Sequence, residues 1–303
     1  MNSTDSNVVD IRHLTRRFND KAALQDVTVQ IPRGRVFGIV GENGAGKTTL
    51  IKHILGLYRA QQGSVSVFGM DPVKHPKEVL SRIGYLSEQP DFPEWMRIAQ
   101  FMNYMAAFYP NWDRQYAAKL LEFVDVDPQK KIRELSKGQQ ARVGLCAAQA
   151  HRPELLVLDE PSSGLDPVAR NEILAAVIRA VVDEGRSVLL SSHLLEEVER
   201  VCDHLLFFSN GQVLLSDSME TVLDRHYQIT LRMPGPLDWH SIAGVFNAAE
   251  DHGEWELFCY ADIEELTRRL ERQGAQILSK RRLSLNEAFL ARSSQRHLLS
   301  ESA

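Results

Sequence analysis

The stretch Val36-Phe37-Gly38-Ile39-Val40, followed at once by Gly41-Glu42-Asn43-Gly44-Ala45-Gly46-Lys47-Thr48-Thr49, constrains this chain more than any other. A short, nearly continuous apolar run reads as a buried strand. The next segment fits G-x-x-x-x-G-K-[ST], and Lys47–Leu55 has helical spacing, so the motif lies between a strand and a helix. Phosphate oxygens can approach a backbone closely only where Cβ atoms are missing and unusual φ/ψ values are allowed, which is what glycines supply. Successive N–H groups and the helix N-terminus then face the negative oxygens. Lys47 adds a cation for the β- and γ-phosphates, and the Thr48 hydroxyl suits Mg2+. At average glycine usage, a chance match in a chain of this length is on the order of one in a hundred.

The apolar runs elsewhere are short and alternate with helical patterns. Val8–Leu14, Val27–Ile31, Leu155–Leu158, Val188–Leu190 and Leu205–Phe208 read as strands; Val168–Val182 and Leu194–Cys202 read as helices. This alternation predicts an α/β fold with a mainly parallel sheet covered on both faces. From about 90 to 133 the pattern is helical only, at Ile98–Phe108 and Arg114–Val124, which predicts a helical insertion. After about 221 the style changes: strand-like Tyr227–Leu231, Trp255–Tyr260 and Gln276–Leu283 surround helix-like Asp262–Gln273. The expected organisation is a domain over 1–220 and a small C-terminal α+β domain over 221–303.

Leu155-Leu156-Val157-Leu158-Asp159-Glu160 ends an apolar strand in paired acids, at the sheet edge where open α/β folds bind ligands. Asp159 is placed to orient Mg2+ and Glu160 to act as general base on a water. Leu135-Ser136-Lys137-Gly138-Gln139-Gln140 precedes a helical run; Ser136 is either a simple N-cap or part of a second phosphate-binding helix start.

With these three motifs in this order, the chain resembles the P-loop ATPases of ABC transporters. Gly41–Thr49 looks like Walker A, Leu135–Gln140 like the signature and Leu155–Glu160 like Walker B. Ser163-Gly164-Leu165-Asp166 is similar to the D-loop and Ser191-Ser192-His193 to the switch-histidine loop; the likeness covers roughly residues 8 to 216. The resemblance implies two cassettes paired head to tail, with ATP held between the P-loop of one and the signature of the other. It implies that Ser136, Gly138 and Gln139 touch the γ-phosphate in the partner's site, and that His193 holds the γ-phosphate and water near Glu160. It implies that Phe18 stacks on adenine, with core packing as the alternative for that ring. Lys137 stands where the usual signature has Gly, and Glu42 where the P-loop often has Pro. In Ile83-Gly84-Tyr85-Leu86-Ser87-Glu88-Gln89, Glu88 falls at the family's glutamine position with Gln89 beside it; either is a candidate for Mg2+ or water.

The same resemblance implies a separate transmembrane permease that meets the Q-loop and the helical insertion. The insertion is aromatic: Phe92 and Trp95 are read equally as groove or core, and Phe101, Tyr104, Phe108, Tyr109 and Trp112 as core. Leu283–Leu290 and Phe108–Trp112 are similar to ABC-2-type exporter ATPases. The net charge of −5 speaks against nucleic acid as the main partner. With three scattered cysteines, no signal-like N-terminus and no apolar run of membrane length, the expected location is cytoplasmic, peripheral at the membrane through the permease. The expected function is ATP hydrolysis energising export. The alternatives are another ABC transport class, or an ABC-type ATPase of translation or DNA repair; one cassette without sustained heptads speaks against the latter.

Overall fold

The computed structural model describes residues 7–182, 185–235 and 237–294. The chain divides into two compact units, Met1–Ser216 and Asp217–Ala303.

In chain order, the strands of the first unit are β1 (Asn7–Phe18), β2 (Lys21–Pro32), β3 (Val36–Val40), β4 (Gln62–Val67), β5 (Ile83–Leu86), β6 (Leu155–Asp159), β7 (Ser187–Ser192), β8 (His204–Ser209) and β9 (Gln212–Ser218). Its helices are α1 (Lys47–Ile54), α2 (Pro76–Leu80), α3 (Ile98–Ala106), α4 (Arg114–Phe123), α5 (Lys137–Gln149), α6 (Pro167–Val182) and α7 (Leu195–Val201). The main sheet has the order β5-β6-β7-β3-β8-β9, and its pairings from β5 through β8 are parallel. Asn210-Gly211 turns β8 into β9, a link too short for a parallel crossover. Every residue of β3, β6 and β7 is buried, as expected of strands covered on both faces. Leu50, Ile51 and Ile54 of α1 share one core with Ile39, Val157 and Leu189. Burying each such side chain contributes roughly 1.5–3 kcal/mol, so α1 and the loop before it are anchored from beneath.

Two departures from the expected pattern stand out. An antiparallel sheet, β2-β1-β4, accompanies the parallel one. Its β1 and β2 extend well beyond the apolar runs, because the hairpin at Asn19-Asp20 pairs polar residues as far as Phe18 and Lys21. The other departure concerns the insertion. Residues 90–133 contribute α3, α4 and a 3-10 turn at Ile132–Glu134, packed on α5 through Ile98, Phe101, Leu121, Val143 and Ala147. Phe92 and Trp112 join this core partly buried, and Tyr109 is half-buried against His151. Tyr104 and Phe108, expected in the core, are exposed instead, Phe108 by 61%. Tyr104 falls beside the buried stripe of α3, and the helix ends at Ala106 before it can turn Phe108 inward.

In the second unit α8 (Met219–Arg225) precedes β10 (His226–Arg232), β11 (Val245–Asp251), β12 (Glu254–Tyr260), α9 (Ile263–Arg272), β13 (Gln276–Arg282) and α10 (Leu285–Ser294). The strands form an antiparallel sheet in the order β11-β12-β10-β13. Ile229, Leu231 and Leu257 pack on Leu266 and Leu270 of α9. Cys146, Cys202 and Cys259 are free and buried, and burial pushes the thiols of Cys146 and Cys259 up to about 12. Among the described residues no helix is long and apolar enough to cross a membrane.

Candidate active site

The loop between β3 and α1 is built around two glycines that admit no side chain. Gly46 takes φ +111°, and a Cβ there would lie 2.6 Å from the Ala23 carbonyl oxygen. A Cβ on Gly41 would collide with the Phe208 carbonyl oxygen. Neighbouring backbone fills the space beside both glycines, Gly44 between them has open space around it, and the loop leads into the N-terminus of α1, the arrangement that suits an anion.

Lys47, the first residue of α1, is 5% exposed. Its Nζ donates to the carbonyls of Gly41 (2.5 Å) and Glu42 (3.3 Å) and ion-pairs with Glu160 Oε1 at 2.8 Å. Glu160 is 4% exposed, directly after β6. Its other oxygen, Oε2, accepts from His193 Nδ1 at 2.7 Å and from the His193 backbone N–H at 3.2 Å. A carboxylate only accepts, so His193 Nδ1 carries the proton here. A carboxylate this deeply buried needs such compensation; removing one partner of a buried ion pair costs about 3–5 kcal/mol.

Glu160 also holds φ +49°, an unfavourable value for a residue with a side chain. Its N–H donates to Ser191 Oγ (2.9 Å) and more weakly to the Ser191 carbonyl (3.2 Å). Ser191 Oγ in turn donates to Asp159 Oδ1 at 2.6 Å. One serine at the end of β7 thus fixes both acids at the end of β6, where the parallel register sets Asp159 beside Ser191. Asp159 and Thr48 offer carboxylate and hydroxyl oxygens, a donor set that fits Mg2+. Tyr85 on β5 stays neutral: burial first, and the charge of Asp159 second, push its phenol up to about 12.

The structure brings Lys47, Asp159, Glu160 and His193 into one connected network. It does not do so for every residue singled out in the sequence. Ser136 caps α5 in a reciprocal box, accepting from Gln139 N–H at 3.2 Å while its own N–H donates to Gln139 Oε1 at 3.0 Å. Gly138 is buried against α6, where a Cβ would meet that of Ala169 at 2.8 Å. Among the described residues no hydrogen bond or ion pair joins this segment to the P-loop. Glu88 and Gln89 are exposed after β5, and none joins Glu88 to Asp159 or Glu160. In the loop itself Glu42, Asn43 and Gly44 are exposed, Ala45 is buried, and Thr48 and Thr49 are half-buried.

Phe18 is an exposed ring, not a core one. It meets Tyr58 edge-on at 5.6 Å, and the Arg16 guanidinium lies 4.6 Å from the Phe18 ring and 4.9 Å from Tyr58. The Gln61 amide exchanges two hydrogen bonds with the Arg17 backbone (2.7 and 3.2 Å) and so fixes the end of β1 that carries Phe18. Sequence reasoning missed Arg16, Tyr58 and the bridging role of Ser191. The first two are separated by more than forty residues, and no local spacing links them.

This is the architecture of a P-loop nucleotide-binding protein: a glycine-rich loop between strand and helix, a buried lysine, and acids at the carboxyl edge of a parallel sheet. A family model described as ABC transporter matches residues 24–163. The ABC transporter ATP-binding protein YtrB of Bacillus subtilis (strain 168) is 31% identical over 74% of this chain and 76% of its own length. Nod factor export ATP-binding protein I of Burkholderia orbicola (strain AU 1054) is 30% identical over 93% of this chain and 95% of its own. A solved structure of the ATP-binding subunit of an ABC transporter superposes with a TM-score of 0.65 at 28% identity, over 71% of this chain and 91% of that one. The chain belongs to the ATP-binding subunits of ABC transporters.

Proposed function

We propose that this protein hydrolyses ATP to energise an ABC-type exporter. The observation that carries the reading is the buried Lys47–Glu160–His193 network at the mouth of the P-loop. Backbone N–H groups of the loop before α1 and the Lys47 ammonium would hold the β- and γ-phosphates. Thr48 and Asp159 would hold Mg2+, which supplies charge neutralisation at the phosphates. Glu160 is the general base for water, and His193 orients it through the contacts to Oε2. Phe18, with Tyr58 and Arg16, offers an exposed aromatic and cationic face for adenine.

Ser136, Gly138 and Gln139 sit at a helix N-terminus that, among the described residues, makes no bond to the P-loop of the same chain. This supports their use across a head-to-tail dimer, against ATP bound to a second cassette. The permease face is supported by exposed aromatics of the insertion. Trp95 is 68% exposed, and a cavity of about 710 Å³ opens between α2 and the segment Met105–Pro110, lined by Leu80, Phe108 and Tyr109. Export is favoured by the near full-length similarity to a protein named for Nod factor export.

Extraction of the tagged chain from detergent-solubilised membranes tests this reading. Co-recovery of a multi-span protein that raises its ATP turnover is expected; recovery only with ribosomes or DNA would overturn it.

A further inference from the structure

Glu197 lies in α7, inside the charged run Glu196-Glu197-Val198-Glu199-Arg200, yet it is 3% exposed. Three separate elements converge on it. Ser162 Oγ, two residues past Glu160, donates to Glu197 Oε2 at 2.6 Å. Ser192 Oγ, the residue before His193, donates to the same oxygen at 3.1 Å. Arg170 of α6 ion-pairs with Oε1, Nε to oxygen 3.1 Å, while its NH2 group reaches the Leu165 carbonyl at 3.4 Å. Ser192 Oγ also accepts from the Leu194 N–H (3.0 Å), so the turn around His193 is tied on both sides.

These bonds bear on a strained residue. Glu160 holds φ +49°, and a non-glycine residue there persists only where its surroundings over-determine it. Ser191 grips the Glu160 N–H from one side. The next anchor along the chain is Ser162, and its anchor is Glu197. Without Glu197, Ser162 and Ser192 lose their common acceptor, and the His193 turn keeps only its direct bonds to Glu160 Oε2.

We infer that Glu197 is a positioning residue for ATP hydrolysis: it holds the loops that carry Glu160 and His193, and the segment at Leu165, in one register. The inference rests on the proposed ATPase reading. An ionised carboxylate suits the position: Oε2 accepts from both serine hydroxyls, while the charge on Oε1 faces the Arg170 guanidinium. A glutamine there accepts on one side only and turns its NH2 group toward either the serine hydroxyls or Arg170.

The test is steady-state ATP hydrolysis by the purified full chain. Glu197→Gln should lower kcat about a hundredfold, the loss typical of a misplaced catalytic group, with KM and the calorimetric ATP affinity within about twofold of wild type. Ser162→Ala keeps the buried charge paired with Arg170 and should lower kcat about fivefold. Adding it to Glu197→Gln should cost nothing further, because Ser162 acts through its contact with Glu197. A kcat within twofold of wild type in Glu197→Gln overturns the inference. So does a parallel loss of ATP affinity, or additive losses in the double variant. If Glu197→Gln does not fold, Ser162→Ala decides alone: unchanged kcat refutes the role. A wild-type chain without turnover contradicts the ATPase reading itself.

Discussion

The sheets of the two units treat polar groups in opposite ways. In the first unit β3, β6 and β7 are buried along their whole length, and the polar atoms at their ends are buried too. Asp159, Glu160 and Ser191 are buried, and each is tied to a named partner. In the second unit the sheet edge β13 is almost wholly exposed, and its charges pair at the surface, Lys280 with Glu264 and Arg282 with Asp224. Among the described residues, a buried polar cluster forms around His226. His226 Nδ1 bonds the Val222 carbonyl at 2.7 Å, Nε2 accepts from Arg292 Nε at 2.9 Å, and Arg292 lies over Phe246. Burial lowers Arg292 to about 10. Exposed ion pairs contribute about 0–1 kcal/mol, while buried ones are costly to break. The contrast teaches where chemistry can reside: charges held dry at a strand edge act strongly on a ligand, and charges paired in solvent do not.

The sharpest way to break the contrast is Lys47→Ala. It removes the cation of the loop and leaves Glu160 without its partner on Oε1. ATP affinity should fall at least about a hundredfold, roughly 3 kcal/mol of charge-assisted contact. Unchanged affinity by calorimetry would refute the P-loop assignment.

Acid should weaken both units. Burial, the largest cause, lowers His151 in the first unit and His226 in the second to about 4. Each is therefore neutral in the fold and takes a proton more readily when unfolded. The stability this gives is complete above about pH 6.5 and is lost as pH falls toward 4, up to on the order of 3 kcal/mol per histidine. Urea unfolding at pH 7.5 and 5.0 measures it, and His226→Asn should flatten the dependence of the second unit. An equal loss in that variant would contradict the assignment.

Phe18→Ala should weaken ATP binding about tenfold, in line with roughly 1–3 kcal/mol per stacked base, without changing the melting temperature. A melting loss without an affinity loss would make Phe18 structural. The smallest effect is expected at the surface of the second unit. Arg232→Ala breaks an exposed pair with Glu254 (2.6 Å) and should shift stability by less than about 0.5 kcal/mol. A larger loss would blur the distinction between the sheets.

These regions also differ in how far the sequence discloses them. The P-loop and the acids at the end of β6 are contiguous runs next to apolar strands, so they stand out in order and spacing, while the role of His193 is what the resemblance implies. Glu197 is not, because a glutamate in a charged helical run looks the same whether it faces water or Ser162. Arg16 and Tyr58 meet only through the fold. The strands β4, β9 and β11 lack a clear apolar run, since they are partly exposed along their length. Tyr104 and Phe108 show that aromatic content does not fix which face a ring takes when a helix ends early.

The central claim is that the site has its own base but is completed by a second cassette. It is tested most directly by Glu160→Gln in the presence of Mg2+ and ATP, with mass measured by light scattering. The expected result is twice the monomer mass with ATP, the monomer mass without it, and no turnover. A variant that stays monomeric while binding ATP, or that hydrolyses it at the wild-type rate, would contradict the claim.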